Sequence, residues 1–228
     1  MPLDFKALDN ALIVSCQPVK GGAMDTAEMV VGFALAAIDG GAAALRIESA
    51  EYVAAVRAAT NRPIIGLIKR DLDDTSIRIT PWLEDVDALA EAGADIIAYD
   101  ATQRVRPVAT RILIERIHSH GRAAMADCSI IFDAEQALAE GADVVGSTLA
   151  GYIGTVEPTE PDFALMTAMR KLTPYVVAEG NVRTPAQAQR ALASGASMVV
   201  VGSAITRPEY VTSWFRSALD ATIAKAGA

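Results

Sequence analysis

Short apolar runs alternate with amphipathic stretches along the chain, and four of the joins between them are nearly the same. They are Asp39-Gly40-Gly41-Ala42-Ala43-Ala44-Leu45, Glu91-Ala92-Gly93-Ala94-Asp95-Ile96-Ile97, Glu140-Gly141-Ala142-Asp143-Val144-Val145 and Ser194-Gly195-Ala196-Ser197-Met198-Val199-Val200. In each, Gly closes the amphipathic stretch and an apolar, β-rich run begins. Gly is what a helix needs just past its end, where the backbone turns left-handed. The run that follows reads as a strand buried on both faces. Gly41, Gly93, Gly141 and Gly195 are separated by 52, 48 and 54 residues, about twice the length of one strand-helix unit. The repeat therefore counts pairs of units, and four pairs make eight. The pattern predicts a (β/α)8 TIM barrel.

The strands expected are Leu12–Ser15, Ala43–Arg46, Pro63–Ile68, Asp95–Tyr99, Arg122–Ala126, Val144–Gly146, Tyr175–Ala178 and Met198–Val201. Helices over Pro81–Ala92 and Pro185–Ala193 begin with Pro, with Thr80 and Thr184 as caps before them. Long connections are expected only after strands one and three. The 228 residues, 52% of them hydrophobic, suit a single barrel domain over 1–228.

Charge and cysteine usage narrow the function classes. A formal net charge of −8 without a basic stripe argues against a nucleic-acid binder but leaves room for a small anionic ligand. Cys16 and Cys128 read as reduced thiols of a cytoplasmic protein. The start of the chain is a poor signal peptide, and no apolar stretch approaches membrane-spanning length. No zinc-ligand spacing occurs, and Asp71, Asp73 and Asp74 lack the glycine spacing of a calcium loop. No metal site is expected. His118 and His120 end the fourth helix, away from the catalytic rim.

Active sites of such barrels lie at the C-terminal ends of the strands. Those positions hold Gln17, Arg46, Lys69, Asp100, Asp127, Glu179 and Arg207. Lys69 ends an apolar strand near other cations; desolvation and like charge both lower a lysine's pKa and make a neutral amine available. Gly180 and Asn181 after strand seven, with Gly202 and Ser203 after strand eight, occupy the loops in which barrels bind phosphate through backbone N–H groups. These residues alone suit an acid/base enzyme, an aldolase forming a Schiff base through Lys69, or a phosphosugar-binding regulator.

The segments Leu-Ile-Val-Ser-Cys-Gln (12–17), Ile-Ile-Gly-Leu-Ile-Lys-Arg-Asp (64–71), Arg-Ile-Thr-Pro (78–81), Ala-Gly-Ala-Asp-Ile-Ile-Ala-Tyr-Asp-Ala-Thr (92–102), Met-Ala-Asp-Cys-Ser (125–129), Val-Ala-Glu-Gly (177–180) and Gly-Ser-Ala-Ile-Thr-Arg-Pro-Glu (202–209) resemble the N-acetylmannosamine-6-phosphate 2-epimerase family. The resemblance spans almost the whole chain. It implies a cofactor-free enzyme of sialic acid breakdown that interconverts N-acetyl-D-mannosamine 6-phosphate and N-acetyl-D-glucosamine 6-phosphate. It places the catalytic lysine and glutamate on Lys69 and Glu179, and substrate contacts on Gln17, Arg46, Asp127 and Arg207. It also favours a homodimer, for which the last helix, Glu209–Ala224, offers Tyr210, Trp214, Phe215 and Leu219. The stretch Pro18–Asp25 departs from the usual family sequence, and variation is expected at Ile47-Glu48 and at Asn181-Val182-Arg183.

Overall fold

A computed structural model describes residues 4–154 and 158–226. Eight parallel strands close into a ring in chain order: β1 (Ala11–Cys16), β2 (Ala44–Glu48), β3 (Ile64–Leu67), β4 (Ile96–Asp100), β5 (Ala123–Asp127), β6 (Val144–Gly146), β7 (Val176–Ala178) and β8 (Met198–Val201). Between them run α1 (Ala27–Asp39), α2 (Ala50–Ala59), α3 (Leu83–Glu91), α4 (Thr110–Ser119), α5 (Ile131–Glu140), α6 (Phe163–Met169) and α7 (Pro185–Ala193). After β8 come a single turn, α8 (Ser203–Thr206), and the long α9 (Pro208–Ala226). The described residues form this one barrel. The expected domain also includes 1–3, 155–157 and 227–228, which lie outside them.

The repeated glycines do what the pattern requires. Gly41, Gly93, Gly141 and Gly195 have φ between 95° and 105°, a conformation a side chain rarely adopts. At the start of α7, Thr184 accepts a hydrogen bond from the Gln187 N–H, and Pro185 occupies the first helical turn.

Alternation along the strands sorts the side chains. One apolar cluster, which includes Ile13, Ala44, Leu67, Ala98, Met125, Val144, Val177 and Val200, takes residues from all eight strands and fills the barrel. The intervening positions, among them Val14, Leu45, Ile47, Ile97, Tyr99 and Val145, pack outward beneath the helices. Two or four residues beyond these inward apolar positions the same register reaches Gln17, Glu48, Lys69, Asp100, Asp127, Thr148, Glu179 and Gly202. An apolar plug thus carries a polar layer at the C-terminal mouth.

Three expectations are corrected. Thr80 is not the cap of α3. That helix starts at Leu83 after Trp82, and Thr80 is buried with φ 46°. Its hydroxyl donates to the Ala98 carbonyl (2.6 Å) and accepts from the Ile68 N–H (3.3 Å), so the segment folds back over the mouth before the helix begins. Long connections also follow β4 and β6, spanning 101–109 and 147–162. Finally, β2 runs to Glu48, paired with Leu67, so Arg46 sits one layer below the rim.

Candidate active site

A cavity of about 460 Å³ opens at the C-terminal mouth, within the range of small-molecule sites. Of the residues singled out from sequence, Gln17, Arg46, Lys69, Glu179, Arg207, Gly180, Asn181, Gly202 and Ser203 all line it. Asp127 does not. It is fully buried beneath the cavity, where Oδ2 accepts from Arg46 (2.6 Å) and Oδ1 from the Thr148 hydroxyl (2.6 Å).

Arg46 lies at the centre of the floor and is 1% exposed. One guanidinium nitrogen reaches Asp127 and the other comes within 3.2 Å of Glu179 Oε2. Thr148 also reaches Glu179 Oε2, at 3.3 Å. Burial pushes the carboxyls of Asp127 and Glu179 up, and Arg46 opposes this in both. Two carboxylates around one guanidinium cannot ionise equally. Asp127 makes the shorter contact with Arg46. Glu179 is raised to about 7, mainly by burial. Its backbone is held by Ser147, whose hydroxyl accepts from the Glu179 N–H and donates to its carbonyl. The next residue, Gly180, has φ 102°, and that turn aims the loop over the cavity.

Lys69 lies two residues past the end of β3, which stands opposite β7 in the ring. Its Nζ donates to Gln17 Oε1 (2.6 Å) and to Glu48 Oε2 (2.9 Å). Burial lowers its pKa, Glu48 acts against the shift, and Arg207 and Arg46 add to it. The backbone at Lys69 is pinned by an antiparallel bridge to Ile79. Arg70 beside it is clamped by Asp85, a fully buried carboxylate at the start of α3. The lysine is therefore set on a rigid support.

Arg207 donates from Nε to the Gln17 carbonyl (2.7 Å) and lies over Tyr210. Across the loops, Asn181 donates from its amide to the Pro158 carbonyl and accepts from Arg183. Both side-chain ends of Asn181 are thus engaged, which leaves its backbone for a ligand. Arg183 stacks over Trp214 of α9, and all three residues line the cavity wall.

Asp100 also lines the cavity, buried and paired with Arg104 (2.6 Å) and Arg106 (3.6 Å), which ties down the loop after β4. The remaining candidates fall outside the site. His118 and His120 pair with Asp143 and Asp87 on the outer surface. Burial pushes the Cys16 thiol up to about 12 and Cys128 well above its usual value, so neither is a nucleophile. Among the described residues no group of three or more His, Cys, Asp or Glu is placed to hold a metal, and no helix is long and apolar enough to cross a membrane. Asp25, in the unusual stretch after β1, accepts from the Gly21 N–H and the Tyr52 hydroxyl, which folds that loop onto α2.

Sequence reasoning missed Glu48 and Thr148 as members of the site. Counting by twos from Arg46 and from Gly146 finds both, because inward positions alternate. Tyr152, Arg183 and Trp214 come from loops and from α9 and have no such signal.

Comparison with known proteins agrees with this picture. Residues 30–221 match the family model NanE, described as "Putative N-acetylmannosamine-6-phosphate epimerase". A protein of Edwardsiella ictaluri named "Putative N-acetylmannosamine-6-phosphate 2-epimerase" is 53% identical over 213 residues, covering 93% of this chain and 91% of that one. A protein of the same name from Klebsiella pneumoniae is 52% identical over 215 residues, covering 94% and 92%. The solved structure of the N-acetylmannosamine-6-phosphate 2-epimerase from Clostridium perfringens superposes with a TM-score of 0.90 at 37% identity, covering 93% of this chain and 95% of that one. The α-subunit of a Pyrococcus furiosus tryptophan synthase shares the fold alone, at 14% identity and a TM-score of 0.64.

Proposed function

The chain belongs to the N-acetylmannosamine-6-phosphate epimerase family, and from that premise we propose that it interconverts N-acetyl-D-mannosamine 6-phosphate and N-acetyl-D-glucosamine 6-phosphate, with its own side chains moving the proton. The observation that carries the reading is the placement of two titratable groups, Lys69 just past β3 and Glu179 just past the opposite strand β7, both lining one cavity. Inversion of the carbon bearing the acetamido group removes a proton from one face and returns one to the other. Groups reaching in from opposite sides suit that task.

The hydrogen is acidic only when the neighbouring carbon is a carbonyl, so the open-chain aldehyde is the reacting form. Lys69 as the free amine takes the proton from one face, and negative charge develops on the aldehyde oxygen. Cationic donors of the site, Arg46 and Arg207, supply positive potential where that charge appears. Glu179, protonated near neutral pH, delivers a proton to the other face. The reverse direction exchanges the roles. Gln17 and Arg46 contact the sugar, and Asp127 acts from below by fixing Arg46. The phosphate lies against the backbone N–H groups of Gly180, Asn181, Gly202 and Ser203, with Arg207 balancing its charge. A homodimer formed through α9 completes the reading, and a cytoplasmic location fits its buried free thiols.

The test is turnover of N-acetylmannosamine 6-phosphate followed by NMR in D2O. Wild type is expected to place deuterium on the carbon bearing the acetamido group. Lys69→Ala is expected to lose about 10² to 10⁴ in rate while still binding phosphosugar. Lys69→Arg is expected to stay inactive, because guanidinium does not give up its proton. Turnover by Lys69→Ala within a few-fold of wild type overturns the mechanism. Borohydride trapping of a Lys69 adduct would point instead to Schiff-base chemistry.

A further inference from the structure

We infer that Glu48 is a positioning residue for this reaction, one that fixes both the orientation and the charge of the Lys69 amine. The inference rests on Lys69 as the acid/base proposed above.

Its basis is the geometry around Nζ. A lysine ammonium has three N–H bonds. Two of them are directed by Gln17 Oε1 at 2.6 Å and Glu48 Oε2 at 2.9 Å. Gln17 must turn its Oε1 to the ammonium, which only donates, and its Nε2 then donates to Ser15 Oγ at 2.8 Å. Both neighbours of Nζ are therefore acceptors. When Lys69 loses a proton, the two remaining N–H bonds stay on Gln17 and Glu48. The lone pair then takes the third direction, into the cavity that Lys69 lines. A base is useful only when its lone pair faces the proton it removes. Two fixed acceptors provide that direction in a side chain with four rotatable bonds.

Charge follows from the same arrangement. Arg46 from β2 and Arg207 from the segment after α8 favour the neutral amine. On the facing side, Glu179, just past β7, is engaged by Arg46. Asp100 of β4 is neutralised by Arg104, and Arg78 is paired with Asp71. Glu48 is the carboxylate in direct contact with Lys69 among the described residues. The pair is neither sealed nor free, with side chains 27% and 28% exposed. Without Glu48, burial and two guanidiniums would hold the amine neutral, leaving no ammonium to return a proton in the opposite direction of the reaction.

The experiment compares kcat/KM against pH for the full-length wild type, Glu48→Gln, Glu48→Asp and Lys69→Ala. Each profile is normalised to its own maximum. Removing the carboxylate favours the free amine, so the ascending limb of Glu48→Gln is expected to move to lower pH by about one unit. Its maximum is expected to fall about tenfold or more through lost orientation. Glu48→Asp keeps the charge, so its limb should stay close to that of wild type. A merely structural role for Glu48 would lower the maximum without moving the limb, and that result overturns the inference. The second readout needs no turnover: the NMR titration of 13C-labelled lysine, with the Lys69 signal identified by its loss in Lys69→Ala. The midpoint should fall in Glu48→Gln, or in Glu48→Ala if the amide variant folds poorly; an unchanged midpoint overturns the inference. If Lys69→Ala retains turnover, the acid/base reading itself fails. If Lys69→Ala is inactive and neither the limb nor the midpoint moves, only the role of Glu48 fails.

Discussion

A single guanidinium organises the chemistry of this site. Arg46 is shared by two carboxyls on different strands, and the closer contact goes to Asp127. Glu179 is left 14% exposed, with its pKa raised from 4.5 to about 7 mostly by burial. A carboxyl whose folded value is raised binds its proton more tightly in the native state. Its contribution to stability is present in full below the unfolded value and is lost as pH rises from about 4.5 through about 7. Glu179→Gln replaces the group with a neutral one of similar shape. The stability of the variant relative to wild type should therefore rise between pH 5 and pH 8, by about 1–3 kcal/mol. Urea unfolding of the ligand-free proteins at several pH values checks this. A difference that stays flat across that window would mean that Glu179 does not carry the proton.

Lys69 depends on how β3 is held, and Gly66 is where that support is tightest. A Cβ there would lie 2.9 Å from Ala94 Cβ and 3.1 Å from Leu89 Cδ2. Neither neighbour can swing aside as a long polar side chain would, so the strand must shift. Gly66→Ala is expected to cost about 1–3 kcal/mol in urea unfolding and to lower kcat as well, because Lys69 follows three residues later. Unchanged stability would show that the strand absorbs the methyl group. Elements like β3 were legible in the sequence because their signals are local. A left-handed helix end demands Gly, and alternation carries inward positions from apolar to polar. Lys69, Arg46 and Glu179 were found in that way. What was not legible depends on pairing. Thr80 before Pro81 has the local form of a cap, but the Ala98 carbonyl and the Ile79 bridge to Lys69 override it. The contact of Glu48 with Lys69 exists only once β2 lies beside β3 in register, with Glu48 opposite Leu67. Asp127 was read as a substrate contact from its place at a strand end, yet its burial beneath Arg46 is a property of the closed ring.

Assembly is the question posed by the molecule as a whole, and α9 frames it. Its first turns serve the cavity, where Tyr210 and Trp214 stack with Arg207 and Arg183. Beyond them the helix leaves a stripe uncovered. Phe215, Leu219 and Ile223 are spaced four apart and are 71%, 58% and 65% exposed, so they share one face. Covering such side chains is worth about 1.5–3 kcal/mol each when burial is complete. A formal charge of −8 on each copy opposes close approach, so association must draw on this apolar stripe. Light scattering at micromolar concentration is expected to give twice 23.9 kDa. Phe215→Asp combined with Leu219→Asp is expected to give a monomer. Because Trp214 stands next to Phe215 on the same helix, loss of the partner should loosen the cavity wall without touching Lys69 or Glu179. KM for the phosphosugar should then rise several-fold while kcat stays near the wild-type value. A wild-type protein that scatters as a monomer would leave the exposed stripe without this explanation. A monomeric variant with unchanged KM would separate assembly from the site.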